Sequence, residues 1–263
     1  MSDGLIYDVG AHMGEDTEYY LKRGFSVVAV EAVPDYCDAI RARCAAYLEA
    51  GKLTVLNLCV AEAAGVAPFY VNESSSVWST ANPSWVERNN LYGPQPIREI
   101  TVQTEPLYEI FQKFGVPRYC KIDIEGNDLI ALRSISGLLE RPEFVSIESE
   151  KLNWNALVEE LVTFRDLGYK KFKVVNQAYV GLQTLPQPSR EGAYCEHAFE
   201  FGSSGLFGDE LPGRWVDLSE CLEIHKQIFR GYFLNGDHGI FEDTEQTLPS
   251  ADWYDTHASR SPL

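Results

Sequence analysis

The sequence predicts an α/β protein built on a doubly wound, mostly parallel seven-stranded sheet. Three observations carry this prediction. An apolar run near the start, Leu5-Ile6-Tyr7-Asp8-Val9, enters a glycine-punctuated turn and then a helix. Short apolar runs continue to alternate with helical patterns to about residue 175, the signature of helices laid on both faces of a parallel sheet. The apolar runs also end in acids and glycines, at Asp8-Val9-Gly10, Glu31 and Asp123-Ile124-Glu125-Gly126, and in an open α/β sheet that edge is where ligands bind.

Taken in order, the first strand is followed by a helix from Glu15 to Arg23 and a second strand from Ser26 to Val30 that stops at Glu31. Pro34 to Ala50 reads as a helix whose buried stripe is Cys37, Ile40, Cys44 and Leu48, spaced by three and four. Lys52 to Val60 is the third strand and Ala67 to Val71 a further one, after which Asn72 to Pro96 is polar, Trp-bearing and without period. So long an irregular stretch in a compact domain usually carries function. Ile97 to Thr104 alternates as a strand, Leu107 to Phe114 is a helix closed by Gly115, and Arg118 to Ile124 is the fourth core strand. Helix Leu129 to Leu139, strand Phe144 to Ile147 with Glu148 at its tip, helix Trp154 to Leu167 and strand Lys170 to Val175 complete the pattern. Beyond it, Cys195 to Phe201 is the candidate seventh strand, and Asp217, with Glu220 three residues on, caps a last helix to about Phe233. The acidic tail from Asn235, through Trp253 and His257, is expected to be surface-packed coil.

With 263 residues the chain is expected to form one domain, its core at about 5–175 and a loop-rich extension at 176–263. Its formal net charge of −17 disfavours a nucleic-acid phosphate backbone and an anionic membrane surface as partners. Six cysteines without a C-x-x-C pair read as reduced thiols, and no run of eighteen apolar residues offers a membrane span. With a core strand already under way at Leu5, these features predict a cytoplasmic protein.

The first turn narrows the ligand. Gly10 and Gly14 allow close backbone approach, and an acid ending the second strand, here Glu31, can bind both hydroxyls of a ribose. The dinucleotide fingerprint G-x-G-x-x-G is absent, because His12 fills its middle position and the spacing is Gly-x-x-x-Gly. Acids at Asp8, Glu15 and Asp16 repel phosphate and attract a cation. A ligand with a ribose, an ammonium and a sulfonium but no phosphate fits that turn, which is S-adenosylmethionine. Asp16 and Thr17 fall in the first turn of the helix beside it.

The switch point of a doubly wound sheet lies between the first strand and the one that begins the second half. Asp123 and Glu125 are therefore expected beside the reactive end of the cofactor, with Glu148 behind them. Such carboxylates serve as a general base or as oxygen ligands to a hard divalent cation. The metal is the less favoured use, because no further oxygen ligand can be placed beside them from sequence. His12 is placed to orient backbone or carboxylate, while His197, flanking an apolar run, reads equally as a structural residue and as a candidate base. No histidine spacing matches a zinc site. Ser74 to Thr80, with Trp78, and the loop Gly202-Ser203-Ser204-Gly205 offer small hydroxyls and an aromatic wall for a substrate pocket.

Ile6-Tyr7-Asp8-Val9-Gly10-Ala11-His12-Met13-Gly14, Val30-Glu31-Ala32-Val33-Pro34 and above all Lys121-Ile122-Asp123-Ile124-Glu125-Gly126-Asn127-Asp128 resemble the FkbM-type methyltransferases, over about Leu5 to Lys173. The resemblance implies the Rossmann-like class I methyltransferase fold and S-adenosylmethionine-dependent O-methylation of sugar or secondary-metabolite hydroxyls. It implies that Asp8, Gly10 and Gly14 line the methionine half of the cofactor, that Glu31 takes the ribose, and that Asp123 with Glu125 faces the reacting methyl. N-methylation, a catalytically silent binding module built on the same fold, and a homo-oligomer remain open at this point.

Overall fold

Residues 2–90, 93–235 and 252–261 are described by a computed structural model. The elements run β1 (Ser2–Val9), α1 (Glu15–Lys22), β2 (Ser26–Glu31), α2 (Pro34–Arg43), α3 (Ala45–Glu49), β3 (Leu53–Asn57), β4 (Cys59–Val60), β5 (Gly65–Asn72) and α4 (Pro83–Asn89). They continue β6 (Ile97–Glu105), α5 (Leu107–Phe114), β7 (Pro117–Ile122), α6 (Asp128–Ser134), β8 (Phe144–Glu148), α7 (Trp154–Asp166), β9 (Lys171–Asn176), α8 (Leu218–Asn235) and β10 (Tyr254–Ser259).

The main sheet has seven strands in the order β3-β2-β1-β7-β8-β10-β9. All neighbours are parallel except β10, which runs antiparallel to both β8 and β9. The chain order reverses between β1 and β7, so the crevice falls at their carboxyl ends. One face of the sheet carries Leu107, Phe111, Leu132, Leu161 and Phe164 from α5, α6 and α7. The other packs against Tyr19, Tyr20 and Leu21 of α1, with Phe207 stacked on Tyr119 at 4.6 Å between ring centroids. A small second sheet, β4-β6-β5, contributes Cys59, Val60 and Phe69 to the lining of the crevice.

Several elements differ from the expectation for local reasons. The helix expected over Pro34 to Ala50 breaks at Cys44, whose backbone leaves the helical region (φ −111°, ψ 27°). The expected third strand is two, because Leu53–Asn57 pairs with β2 while Cys59–Val60 turns away to pair with β6. Within the stretch read as irregular, Asn82 caps α4 by accepting a hydrogen bond from the Ser84 amide at 3.0 Å.

The seventh strand is not Cys195 to Phe201. That segment has no partner strand among the described residues; its alternation arises because His197 and Phe199 pack on Tyr19 of α1, at 5.0 and 4.9 Å between centroids. The seventh strand is Tyr254–Ser259, in the tail read as coil. Its polar sequence conceals it, since all six residues are buried. The hydroxyls of Thr256 and Ser149 lie 2.6 Å apart, and His225 of α8 reaches Thr256 at 3.0 Å. His238 and the acids Asp237, Glu242, Asp243 and Glu245 lie outside the described residues.

Burial pushes His225 down to about 4. The unfolded chain therefore takes up a proton between pH about 6.5 and 4 that the folded protein does not, so this histidine withdraws stability as pH falls through that window. Relative to His225→Gln, the wild type is expected to lose about 3 kcal/mol between pH 7 and pH 4, at about 1.4 kcal/mol per pH unit. Urea midpoints of both proteins at the two pH values check it.

The segment between β9 and α8 is fastened to α1 by Arg23, whose two terminal nitrogens reach the Glu210 carboxylate at 2.7 and 2.8 Å with both side chains wholly buried. As expected, the Asp217 carboxylate accepts from the Glu220 amide at the start of α8, at 2.9 Å. All six cysteines are free thiols, five of them buried. No helix among the described residues is long and apolar enough to cross a membrane.

Candidate active site

A cavity of about 850 Å³ opens over the carboxyl ends of β1, β2, β7 and β8. Its floor is the turn after β1. Gly10 has φ 83°, and a Cβ there would lie 1.8 Å from the Asp123 carbonyl oxygen, so only glycine lets the two strand tips meet this closely. The Gly10 and Ala11 amides both donate to the Val30 carbonyl, at 2.9 and 3.1 Å, which pulls the turn toward the tip of β2. His12 follows with a positive φ of 48°, an uncommon conformation for a residue with a side chain. Its ring lies 2.9 Å from the Ser76 hydroxyl and 3.4 Å from Glu15.

Glu31 sits at the cavity wall with one carboxylate oxygen accepting from the His12 amide (2.9 Å) and the other from the Val33 amide (2.8 Å). Burial nevertheless raises its pKa to about 7. Asp16 also faces the cavity, and both of its oxygens accept from the Ser204 amide, at 2.9 and 3.1 Å. The Gly-Ser-Ser-Gly loop is thereby tied to α1.

Three of the expected cofactor residues stand behind the turn, outside the cavity lining. The Thr17 hydroxyl donates to the wholly buried Asp8 at 2.6 Å, and Gly14 begins α1. Burial raises Asp8 to about 6 even though Lys121 pulls it down. Gly10, His12, Asp16, Glu31 and Asp123 do line the cavity. His197, expected as a candidate base, does not; its ring packs against Tyr19 and Phe199, outside the cavity lining.

Lys121 was missed as a site residue and is central. Its buried ammonium lies 3.2 Å from Asp16, 3.4 Å from Asp123 and 3.5 Å from Asp8. Burial would lower its pKa, but the three carboxylates overcome this and hold it well above the ordinary lysine value. The signal was the alternation in Lys121-Ile122-Asp123, which puts both charged side chains on one face of the strand.

At the far end, Asp123 and Glu125 meet Glu148, as the switch-point argument expects, with carboxylate oxygens of all three within 4.8 Å of one another. Glu125 has φ 49° and is held from two sides: its carboxylate accepts from the Trp85 indole at 2.9 Å, and its carbonyl accepts from the Thr80 hydroxyl at 2.7 Å. Trp85 lies so close over Gly126 that a Cβ there would be 2.7 Å from the indole. Burial, reinforced by Glu148 and Asp123, holds Glu125 well above the usual carboxylate range, and burial with Asp123 raises Glu148 to about 7. Ser75 to Ser79, Phe201 to Ser204 and Trp253 form the walls.

A doubly wound sheet with one reversed strand near its edge, and a ligand crevice between an acid-tipped β2 and an acid-tipped β7, defines the class I methyltransferase fold. Residues 8–171, well over half of the chain, match the Methyltransferase FkbM domain, and the chain belongs to that family. Among solved structures it is similar to a methyltransferase FkbM from Methylobacillus flagellatus KT, with 17% identity and a TM-score of 0.45, covering 67% of this chain and 41% of that one. It is also similar to a precorrin-6y C5,15-methyltransferase from Geobacter metallireducens GS-15 (11% identity, TM-score 0.40, 98% of this chain and 80% of that one). A third is a geranyl diphosphate C-methyltransferase from Streptomyces coelicolor A3(2), solved with Mg²⁺, geranyl diphosphate and S-adenosyl-L-homocysteine (10% identity, TM-score 0.37, 98% and 74%). No curated protein matches the chain in sequence.

Proposed function

We propose that the chain is an S-adenosylmethionine-dependent methyltransferase that methylates a hydroxyl oxygen of a small acceptor, such as a sugar or a secondary metabolite. The observation that carries this reading is one continuous cavity running from Glu31, past the Gly10 turn, to the acids Asp123 and Glu125. Its volume suits a small-molecule ligand site.

The donor set fits the cofactor. Each Glu31 oxygen holds one backbone amide and keeps a further lone pair for a ribose hydroxyl. Glu15 and Asp16 line the same cavity and favour an ammonium over a phosphate. Bound there, S-adenosylmethionine supplies a methyl group activated by its sulfonium. The chain's own residues do the rest. The Gly10–His12 turn and Glu31 hold the donor, with Asp8, Gly14 and Thr17 bracing the turn from behind. Asp123 and Glu125 face the acceptor, and the ionised member of the pair receives the hydroxyl proton as the methyl arrives. The loops around Trp78 and Ser204 orient the acceptor and exclude water, and holding the partners in line supplies much of the rate. The free thiols fit a reducing, cytoplasmic setting.

Isothermal titration with S-adenosylmethionine and S-adenosylhomocysteine should give saturable heat, and labelled methyl should appear on oxygen in at least one member of a panel of hydroxylated metabolites. Absence of heat from folded protein with both ligands ends this reading. Label found only on nitrogen would replace O-methylation.

A further inference from the structure

The end of the cavity opposite Glu31 carries more negative charge than its own cations offset. Asp123, Glu125 and Glu148 converge there. A fourth carboxylate, Asp255, arrives from β10, the strand hidden in the polar tail. Antiparallel pairing sets Asp255 directly opposite Glu148, so the two side chains share one face of the sheet at about 5 Å between Cβ atoms. Like charges in that relation destabilise a sheet.

Asp255 is only 6% exposed, lines the cavity, and has neither a hydrogen bond nor an ion pair among the described residues. An ionised carboxylate buried without a partner is costly. The positive charge nearby is already shared out: Lys121 among Asp8, Asp16 and Asp123, while Arg88 lies over the Trp85 ring at 3.8 Å. Arg88 and Lys151 offset part of the charge at Glu148, and the Trp85 indole satisfies one oxygen of Glu125. What remains is a group of carboxylate oxygens turned toward one another and toward open space.

We propose that Asp123, Glu125 and Glu148 bind a divalent cation of the hard, oxygen-preferring kind, magnesium or calcium, with Asp255 supplying the adjoining negative charge. Sequence alone disfavoured a metal because no further oxygen ligand could be placed beside the three acids. β10 brings a fourth carboxylate, Asp255, beside Glu148 to add negative charge next to the three ligands. A dication would favour the ionised form of these acids and offset two of the charges they then carry, which leaves carboxylate oxygen over to accept a proton. Cation binding goes beyond the methyl-transfer reading and can be read without turnover.

The Trp85 indole, 2.9 Å from the Glu125 carboxylate, provides the probe. Chelator-stripped protein titrated with terbium and excited at tryptophan should show saturable sensitised emission, displaced by millimolar calcium or magnesium. Glu148→Gln and Asp255→Asn should each weaken terbium binding at least tenfold. Asp255→Asn should also melt higher than wild type in chelator, because it removes the opposed like charge, and should lose the rise in melting temperature that calcium gives the wild type. A purely structural acidic cluster would show the first of these effects without the second. Absence of saturable emission, or titrations unchanged in both variants, overturns the proposal; in the latter case the cation sits elsewhere on an acidic surface. Saturable emission from a protein that gives no heat with S-adenosylmethionine supports the cation site by itself, so the two readings fail separately.

Discussion

Replacing Glu31 with alanine is expected to weaken S-adenosylmethionine and S-adenosylhomocysteine binding by about two orders of magnitude or more. Two hydrogen bonds from ribose hydroxyls to a charged acceptor contribute about 1.5–3 kcal/mol each, and each 1.4 kcal/mol is tenfold in affinity. Alanine also strands the His12 and Val33 amides that the carboxylate holds, so the turn loosens as well. Glu31→Gln separates the two effects, since it fills the same space and keeps an oxygen for one amide. Because burial raises Glu31 to about 7, the group is partly protonated at neutral pH, and a ligand that needs the charged form pulls the pKa down on binding. Affinity in the wild type should therefore fall as pH drops through about 7, and the glutamine variant should lose that dependence. Calorimetry with S-adenosylhomocysteine at pH 8 and pH 5.5 on all three proteins measures both. Unchanged affinity in the alanine variant would remove Glu31 from the ribose.

The parts of the site legible in sequence are those whose chemistry and backbone signal coincide. Gly10 and Asp123 stand at strand ends that the apolar runs locate, and the close approach of those ends is what the doubly wound topology requires. Residues that reach the site from loops left weaker traces. Trp85 holds Glu125, yet nothing in its local sequence marks that partner, forty residues away. Asp255 was hidden for a different reason. Interior strands are usually recognised as apolar runs, but Tyr254–Ser259 buries polar side chains, of which Thr256 is held by Ser149 and His225 and Asp255 faces the cavity. The false strand at Cys195 to Phe201 is the converse: true alternation, produced by packing on a helix with no ladder beside it. Period-2 patterning reports that alternate side chains are buried. What buries them is long-range information, and at this site it came from the segments after β9.

Lys121→Met is expected to destabilise the protein by about 3–5 kcal/mol, the cost typical of leaving a buried charge without its partner. The lysine is 3% exposed and is the ammonium within ion-pair reach of Asp8, Asp16 and Asp123 together. Methionine matches its length and apolar stem, so the loss is one of charge and not of packing. Arginine should not restore it, because a planar fork needs room that this enclosed position, shared among three carboxylates, does not provide. The penalty should depend on pH with a defined sign. Asp8 already sits at about 6 through burial, with Lys121 the strongest influence pulling it down; without the lysine its folded-state value rises further. At pH 5 the variant accommodates Asp8 as the neutral acid and part of the penalty disappears, whereas at pH 7.5 the charge must be buried or the fold must open. Urea unfolding at the two pH values should show a wider gap between wild type and variant at the higher one. Asp8→Asn added to Lys121→Met should recover more than about 1 kcal/mol, the scale of coupling expected between contacting charged groups. Equal midpoints for wild type and Lys121→Met at pH 7.5 would mean that water, not Lys121, compensates these acids, and the turn that carries Gly10 and His12 would then need another account of its stability.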